Sequence, residues 1–106
     1  MSTTDSFFAM LNKGMDNALL RYSLGNAYFA EKDYGHAVKH FKVALEHDPG
    51  YSAAWKLLGR SYLELGLFKE AVETLQQGVT VASGKGDKQA EKEMNVFLRR
   101  ARKQAD

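Results

Sequence analysis

The chain has 106 residues, one proline, no cysteine and a net charge of +2 at neutral pH. A length of this order is that of one domain, and the lack of cysteine removes disulfides, thiolate metal sites and thiol nucleophiles. With 44% hydrophobic and 26% charged residues the composition is that of a globular protein, and no apolar run approaches the ~20 residues that span a bilayer.

No lysine or arginine precedes Lys13, and Asp5 stands before the first apolar cluster. That is not the pattern of a signal peptide, so the expected compartment is the cytoplasm. The charge is uneven. Residues 1–84 hold eight basic against nine acidic side chains, whereas residues 85–106 hold seven against four. The basic character belongs to the C-terminal segment.

Strong helix formers fill the long segments and no run alternates at period two, so the chain is expected to be all-α. Residues 5–13 form a short helix with Phe7, Met10 and Leu11 on one side, ended by Gly14. Asp16 is expected to cap a second helix, which carries Leu24, Gly25 and Tyr28 in one stripe. After a turn at Lys32-Asp33, Asp33 caps a third helix. Ala37, Phe41 and Ala44 line its inner face, with Val38 and Leu45 beside them, and Pro49-Gly50 stop it.

The fourth helix, Tyr51 to Gly66, has two working sides. Trp55, Leu58, Gly59 and Tyr62 recur at i, i+3, i+4 and i+7 as a packing stripe, while Lys56, Arg60 and Leu63 lie on a different side. A fifth helix carries Ala71, Leu75 and Gly78, and the stretch Ser83-Gly84-Lys85-Gly86 is expected to break it. Asp87 caps the last helix, whose apolar positions are Ala90, Met94, Phe97, Leu98 and Ala101.

The chain matches itself when shifted by thirty-four residues. Leu24, Gly25 and Tyr28 fall on Leu58, Gly59 and Tyr62. Tyr34, Ala37, Phe41 and Ala44 fall on Phe68, Ala71, Leu75 and Gly78. Glycine or alanine recurs where two helices must approach closely, with large residues a turn away to fill the surrounding volume.

This helix–turn–helix unit, with Trp55, Leu58-Gly59, Tyr62, Ala71 and the closing Pro49, resembles the tetratricopeptide repeat. The resemblance covers residues 18–51 and 52–85. The first unit matches seven of eight signature positions and has Arg21 in place of the tryptophan. The second has the tryptophan but carries Leu75, Gly78 and Ser83 where the family has Phe, Ala and Pro. The RNA-reading pentatricopeptide family has a similar period but lacks this set. The resemblance implies an antiparallel helix-pair solenoid of two repeats, in a single domain like that of short bacterial proteins of the family. Residues 3–15 are then the remnant of a missing repeat's second helix, and residues 87–104 a C-terminal cap out of register. Both caps are needed because two repeats fall short of the usual minimum of three.

In this family the first helix of each repeat lines a concave groove. By resemblance, Leu19, Tyr22, Asn26, Phe29 and Ala30 line it in the first repeat, and Ala53, Lys56, Arg60, Leu63 and Glu64 in the second. These are also the positions left over once the packing stripe is assigned. Tyr22, Asn26, Phe29, Lys56, Arg60 and Leu63 are therefore the candidate partner-binding residues. Arg60 offers a planar fork and Lys56 a point charge for a carboxylate, and Asn26 has donor and acceptor for a peptide amide. The expected partner is another protein, held as an extended peptide or helix with an acidic side chain or C-terminal carboxylate near Lys56 and Arg60. The competing reading is that the caps fill the groove and cover Tyr22 and Phe29.

The Lys/Asn clamp by which some members grip heat-shock chaperones is not reproduced. Tyr22 stands where its first lysine belongs and Leu57 where the next repeat needs asparagine, leaving Asn26 as the only match. His36 and His40 are spaced i, i+4 with His47 nearby. Lys39 and Lys42 beside them oppose a cation, so they read as an exposed helix face and no metal is expected. The run Arg99-Arg100-Ala101-Arg102-Lys103 suits phosphates, but also a solvated helix C-terminus with acids interleaved before it. Nucleic-acid contact is the weaker reading. No paired carboxylates, Ser/His/Asp set or phosphate loop is present, so no enzyme and no cofactor is expected. The sequence reads as an adaptor, with assembly through a homodimer contact as the alternative.

Overall fold

A computed structural model describes residues 3–106 of the chain. Six helices follow one another: α1 (Thr3–Asn12), α2 (Ala18–Ala30), α3 (Tyr34–His47), α4 (Ser52–Glu64), α5 (Phe68–Gly84) and α6 (Lys88–Ala105). Each of α2 to α6 packs on its neighbour in sequence, and α1 packs on α2. In addition α2 touches α4 and α4 touches α6, whereas the backbones of α3 and α5 stay apart. The helices α2, α4 and α6 therefore form an inner layer around which the chain curves, with α3 and α5 outside.

Local chemistry sets the helix ends. Asn17, rather than the expected Asp16, caps α2, accepting from Leu20 N at 2.8 Å. Asp16 is drawn away by two ion pairs, to Arg21 and His47. Asp33 and Asp87 cap α3 and α6 as their sequence positions suggest. The break after α5 falls later than expected, since Ser83 and Gly84 still belong to the helix and Gly86 turns the chain at φ +72°. Gly66 does the same after α4 at φ +74°. The equivalent position after α2 is Lys32, held at φ +63°, which costs a residue with a Cβ roughly 1 kcal/mol.

The helix pairs close on their glycines. A Cβ added at Gly25 would lie 2.6 Å from the ring of Phe41, and one at Gly59 would overlap the side chain of Leu75. Phe41 and Leu75 are both fully buried, so neither can retreat. Gly78 is enclosed in the same way: a Cβ added there would lie 2.5 Å from Met94 Sδ and 2.8 Å from Trp55 Cβ. One core gathers Ala37, Phe41, Ala44 and Leu45 of α3 with Ala54, Leu57 and Leu58 of α4. The other gathers Ala71, Leu75 and Ala82 of α5 with Met94, Leu98 and Ala101 of α6. Trp55 and Tyr62 pack against both and join them into one body.

The flanking helices differ in how well they bury. Met94, Leu98 and Ala101 seat α6 fully. On α1, Phe7 and Leu11 are half-buried, but Met10 faces solvent instead of sharing their side. Phe8 instead meets the edge of His40, ring centroids 6.0 Å apart.

Two glycine substitutions separate packing from propensity. Gly59→Ala gains about 1 kcal/mol of helix propensity, yet overpacking against Leu75 dominates. Its net cost is about 1–3 kcal/mol in urea unfolding, and Gly59→Leu does not fold. Gly35→Ala, whose added methyl meets nothing within 4 Å, raises stability by about 0.4–1 kcal/mol. An unchanged urea midpoint for Gly59→Ala would refute the close-contact account.

Candidate functional site

The inner layer presents a mixed aromatic and cationic face. Tyr22 of α2 is half-buried, stacked on Tyr51 at 4.8 Å and tilted against Phe41 at 5.8 Å. Burial raises the Tyr22 and Tyr51 hydroxyl pKa values above their ordinary range. Asn26 is exposed and borders a recess with Phe7, Ala30 and Glu31. Phe29 meets the edge of Tyr34 at 5.3 Å and lies 5.2 Å under the Arg60 guanidinium.

On α4 the C-terminal helix changes what is offered. Lys56 is paired with Glu93 of α6 at 3.1 Å. Hydrogen bonds from Gln89 and then from Lys56 lower the Glu93 pKa. Arg60 lies over Phe97 of α6 at 4.7 Å, and Arg100 lies over the same ring at 5.3 Å. Leu63 lines a recess of about 300 Å³ with Arg60, Phe68, Phe97 and Gln104. The six candidate residues thus fall into two groups. Tyr22 and Asn26 face the α1–α2 end, while Lys56, Arg60 and Leu63 lie beside α6, and Phe29 joins them through Arg60. Phe97, Arg100 and Phe68 also belong to this face and were not foreseen. The spacing of Phe97 and Arg100, three apart on one helix, was the available signal. However, α6 starts thirty-six residues after α4, against thirty-four between α2 and α4, so the repeat offset does not place it.

The histidines require a correction. His40 is not on an exposed face; it is 2% exposed, stacked on Tyr28 with centroids 5.6 Å apart. Its Nδ1 lies 3.1 Å from an Arg21 nitrogen. Arginine only donates, so Nδ1 accepts and the ring is neutral with its proton on Nε2. His36 pairs with Asp33 and His47 with Asp16. Among the described residues no group of three or more His, Cys, Asp or Glu side chains is placed to hold a metal ion. The offset of thirty-four pairs His40 with Thr74, and the structure buries both.

Arg21 explains how the first helix pair manages without a tryptophan. Trp55 Nε1 donates to the Pro49 carbonyl at 2.7 Å and ties α4 to the loop before it. Arg21 ties α2 to its own preceding loop with two bonds to Asp16, at 2.8 and 3.0 Å. The bond from Arg21, opposed by partial burial and aided by His47, holds the Asp16 pKa at about 2.

These features define an antiparallel helix-pair solenoid whose inner helices carry an exposed mixed face. The tetratricopeptide-repeat profile matches residues 28–83. The chain is 50% identical over 91 residues to TPR repeat-containing protein PA0015 of Pseudomonas aeruginosa, covering 86% of this chain and 87% of that one. The solution structure of protein BPP2914 from Bordetella parapertussis superposes with a TM-score of 0.85 at 39% identity, covering 97% of this chain and 90% of that one. A crystal structure of a tetratricopeptide repeat domain protein from Salinibacter ruber gives a TM-score of 0.75 at 25% identity, covering 82% and 97%. The chain belongs to the tetratricopeptide repeat family. Members of this family are in general scaffolds for protein–protein contact rather than catalysts. Among the described residues no helix is long and apolar enough to cross a membrane.

Burial, with Arg21 and then Lys39 nearby, lowers the His40 pKa to about 4. The unfolded chain, with an ordinary histidine pKa of 6.5, therefore binds the proton first. The neutral ring's stabilisation is intact above pH 6.5 and is lost as pH falls toward 4, by at most about 3 kcal/mol. Asp16 stays ionised across this window. Melting temperature should fall between pH 6.5 and 4, and His40→Gln, which keeps an acceptor for Arg21, should flatten that slope. A parallel slope in the variant would show that His40 is not the titrating group.

Proposed function

We propose that the protein is an adaptor that receives a segment of another protein along the inner face of α2, α4 and α6. On this reading residues 18–51 and 52–85 are two repeats of a single unit, capped by residues 3–15 and 87–104. The observation that carries it is the row of side chains running from Tyr22 and Phe29 through Arg60 to Phe97. These side chains are half-buried, cross three helices and are not among the buried core. Half-exposed aromatics beside cations are costly to leave wet and are the residue types enriched where proteins dock. The helices behind them are fixed by close packing, so docking here would order little of this chain.

A second reading has its own observation. Met10, Met15 and Leu19 are exposed at the α1 end, Leu19 at 66%. Self-association through that end would cover them. Light scattering separates the two, since a monomer at all concentrations leaves only the adaptor.

The adaptor reading is tested on α2, away from the α4–α6 contacts. Asn26 and Ala30 are exposed one turn apart, so Asn26→Arg/Ala30→Arg obstructs the face without entering the core. Crosslinked capture from native lysate, read by mass spectrometry, should show the wild-type partner reduced at least roughly tenfold by the variant. Circular dichroism checks that the variant is folded. Equal capture by a folded variant would sink the reading.

A further inference from the structure

The cations of this molecule are not equivalent. Lys56 is neutralised by Glu93, Arg21 by Asp16, and Lys85 donates to the Gly50 carbonyl at 2.7 Å. Arg60 and Arg100 differ. Both guanidinium groups lie over the Phe97 ring, and Arg60 also lies over Phe29. Among the described residues neither has a carboxylate within ion-pair range. Both line the recess that Leu63 and Phe68 wall on its apolar side.

We propose that this recess is a carboxylate-binding site, and that the partner segment places an acidic side chain or its terminal carboxylate between Arg60 and Arg100. This deepens, and rests on, the adaptor reading above. A guanidinium held over a ring by cation–π attraction still carries its N–H donors, and among the described residues neither of these two has spent them on a carboxylate. The two groups share one ring, so their positive charges repel, and an anion between them relieves that repulsion. The aromatic surface removes water from one side of each cation, which strengthens a charge-assisted bond. Leu63 and Phe68 receive an apolar side chain next to the acid.

Glu64 also lines the recess. Its charge opposes any anion, but the two guanidinium groups leave the recess net positive, so Glu64 tempers the affinity without reversing it. Lys56, which sequence reasoning paired with Arg60 for this task, is already engaged by Glu93. The carboxylate site is therefore displaced toward α6, and the capping helix supplies half of it.

The test follows the arginine side-chain N–H resonances of labelled protein during titration with an acetylated, alternating leucine–glutamate hexapeptide. Parallel titrations use its C-terminal amide and the amide with glutamine for glutamate. Shifts of Arg60 and Arg100 should saturate below about 1 mM with the glutamate peptides. Equal binding of acid and amide assigns the side-chain carboxylate, and binding of the free acid alone assigns the terminus; both support the site. Arg60→Gln or Arg100→Gln should weaken binding roughly tenfold, and Glu64→Gln should strengthen it about threefold. Equal shifts with the glutamine amide, or wild-type affinity in both arginine variants, would overturn the proposal. So would the absence of any shift at about 5 mM peptide. If Asn26→Arg/Ala30→Arg abolishes partner capture while Arg60→Gln/Arg100→Gln preserves it, the adaptor stands and this site does not.

Discussion

The architecture depends on a contact made possible by two absent side chains. Gly25 and Gly59 have no Cβ, and the space is taken by Phe41 and Leu75, each fully buried sixteen residues later. That arrangement brings the two helices of a pair together at the depth where dispersion contacts and water exclusion are both high. Once α2–α3 and α4–α5 are closed, α3 lies on α4, and Trp55 and Tyr62 contact the cores on both sides. A one-carbon enlargement at these glycines therefore bears on the whole stack.

The two helix pairs solve one problem with different chemistry. Each inner helix must be tied to the loop before it. Trp55 does this with a ring that packs and an N–H that donates to Pro49. Arg21 uses a two-bonded carboxylate, Asp16, and then needs an acceptor for its remaining N–H groups, which a neutral His40 supplies. The polar solution brings titration with it. The ring that accepts from Arg21 is buried against Tyr28 and Phe8, so acid attacks this pair where it cannot attack the tryptophan pair.

The C-terminal helix is more than a lid on the solenoid. Its Met94, Leu98 and Ala101 complete the second core, while Glu93, Phe97 and Arg100 face α4 or the recess beside it. The same helix thus removes one cation from the inner face and adds another. Stability and the chemistry of the face are coupled through it.

Much of this was legible in the sequence. The offset of thirty-four residues locates both glycine contacts and the helix pairs, because steric demands repeat with the structure, and helical spacing locates the packing role of Trp55. The caps at Asp33 and Asp87 were legible because capping is local. Asp16 was misassigned as a cap because its partners, Arg21 and His47, are brought to it by folding. His40 was placed on the surface because i, i+4 spacing reports a shared side of a helix and not what covers that side. Arg60 and Leu63 were identified as outward-facing, but their setting depends on Phe97 and Arg100. Those two come from a helix that departs from the repeat period, and no internal copy indicates where they pack. What the sequence by itself determined is the repeating contact between helices, since it is written in residue size at fixed spacing. Only the tertiary structure decided which charges on the inner face are already paired, because that depends on side chains far apart in the chain that meet only when it folds.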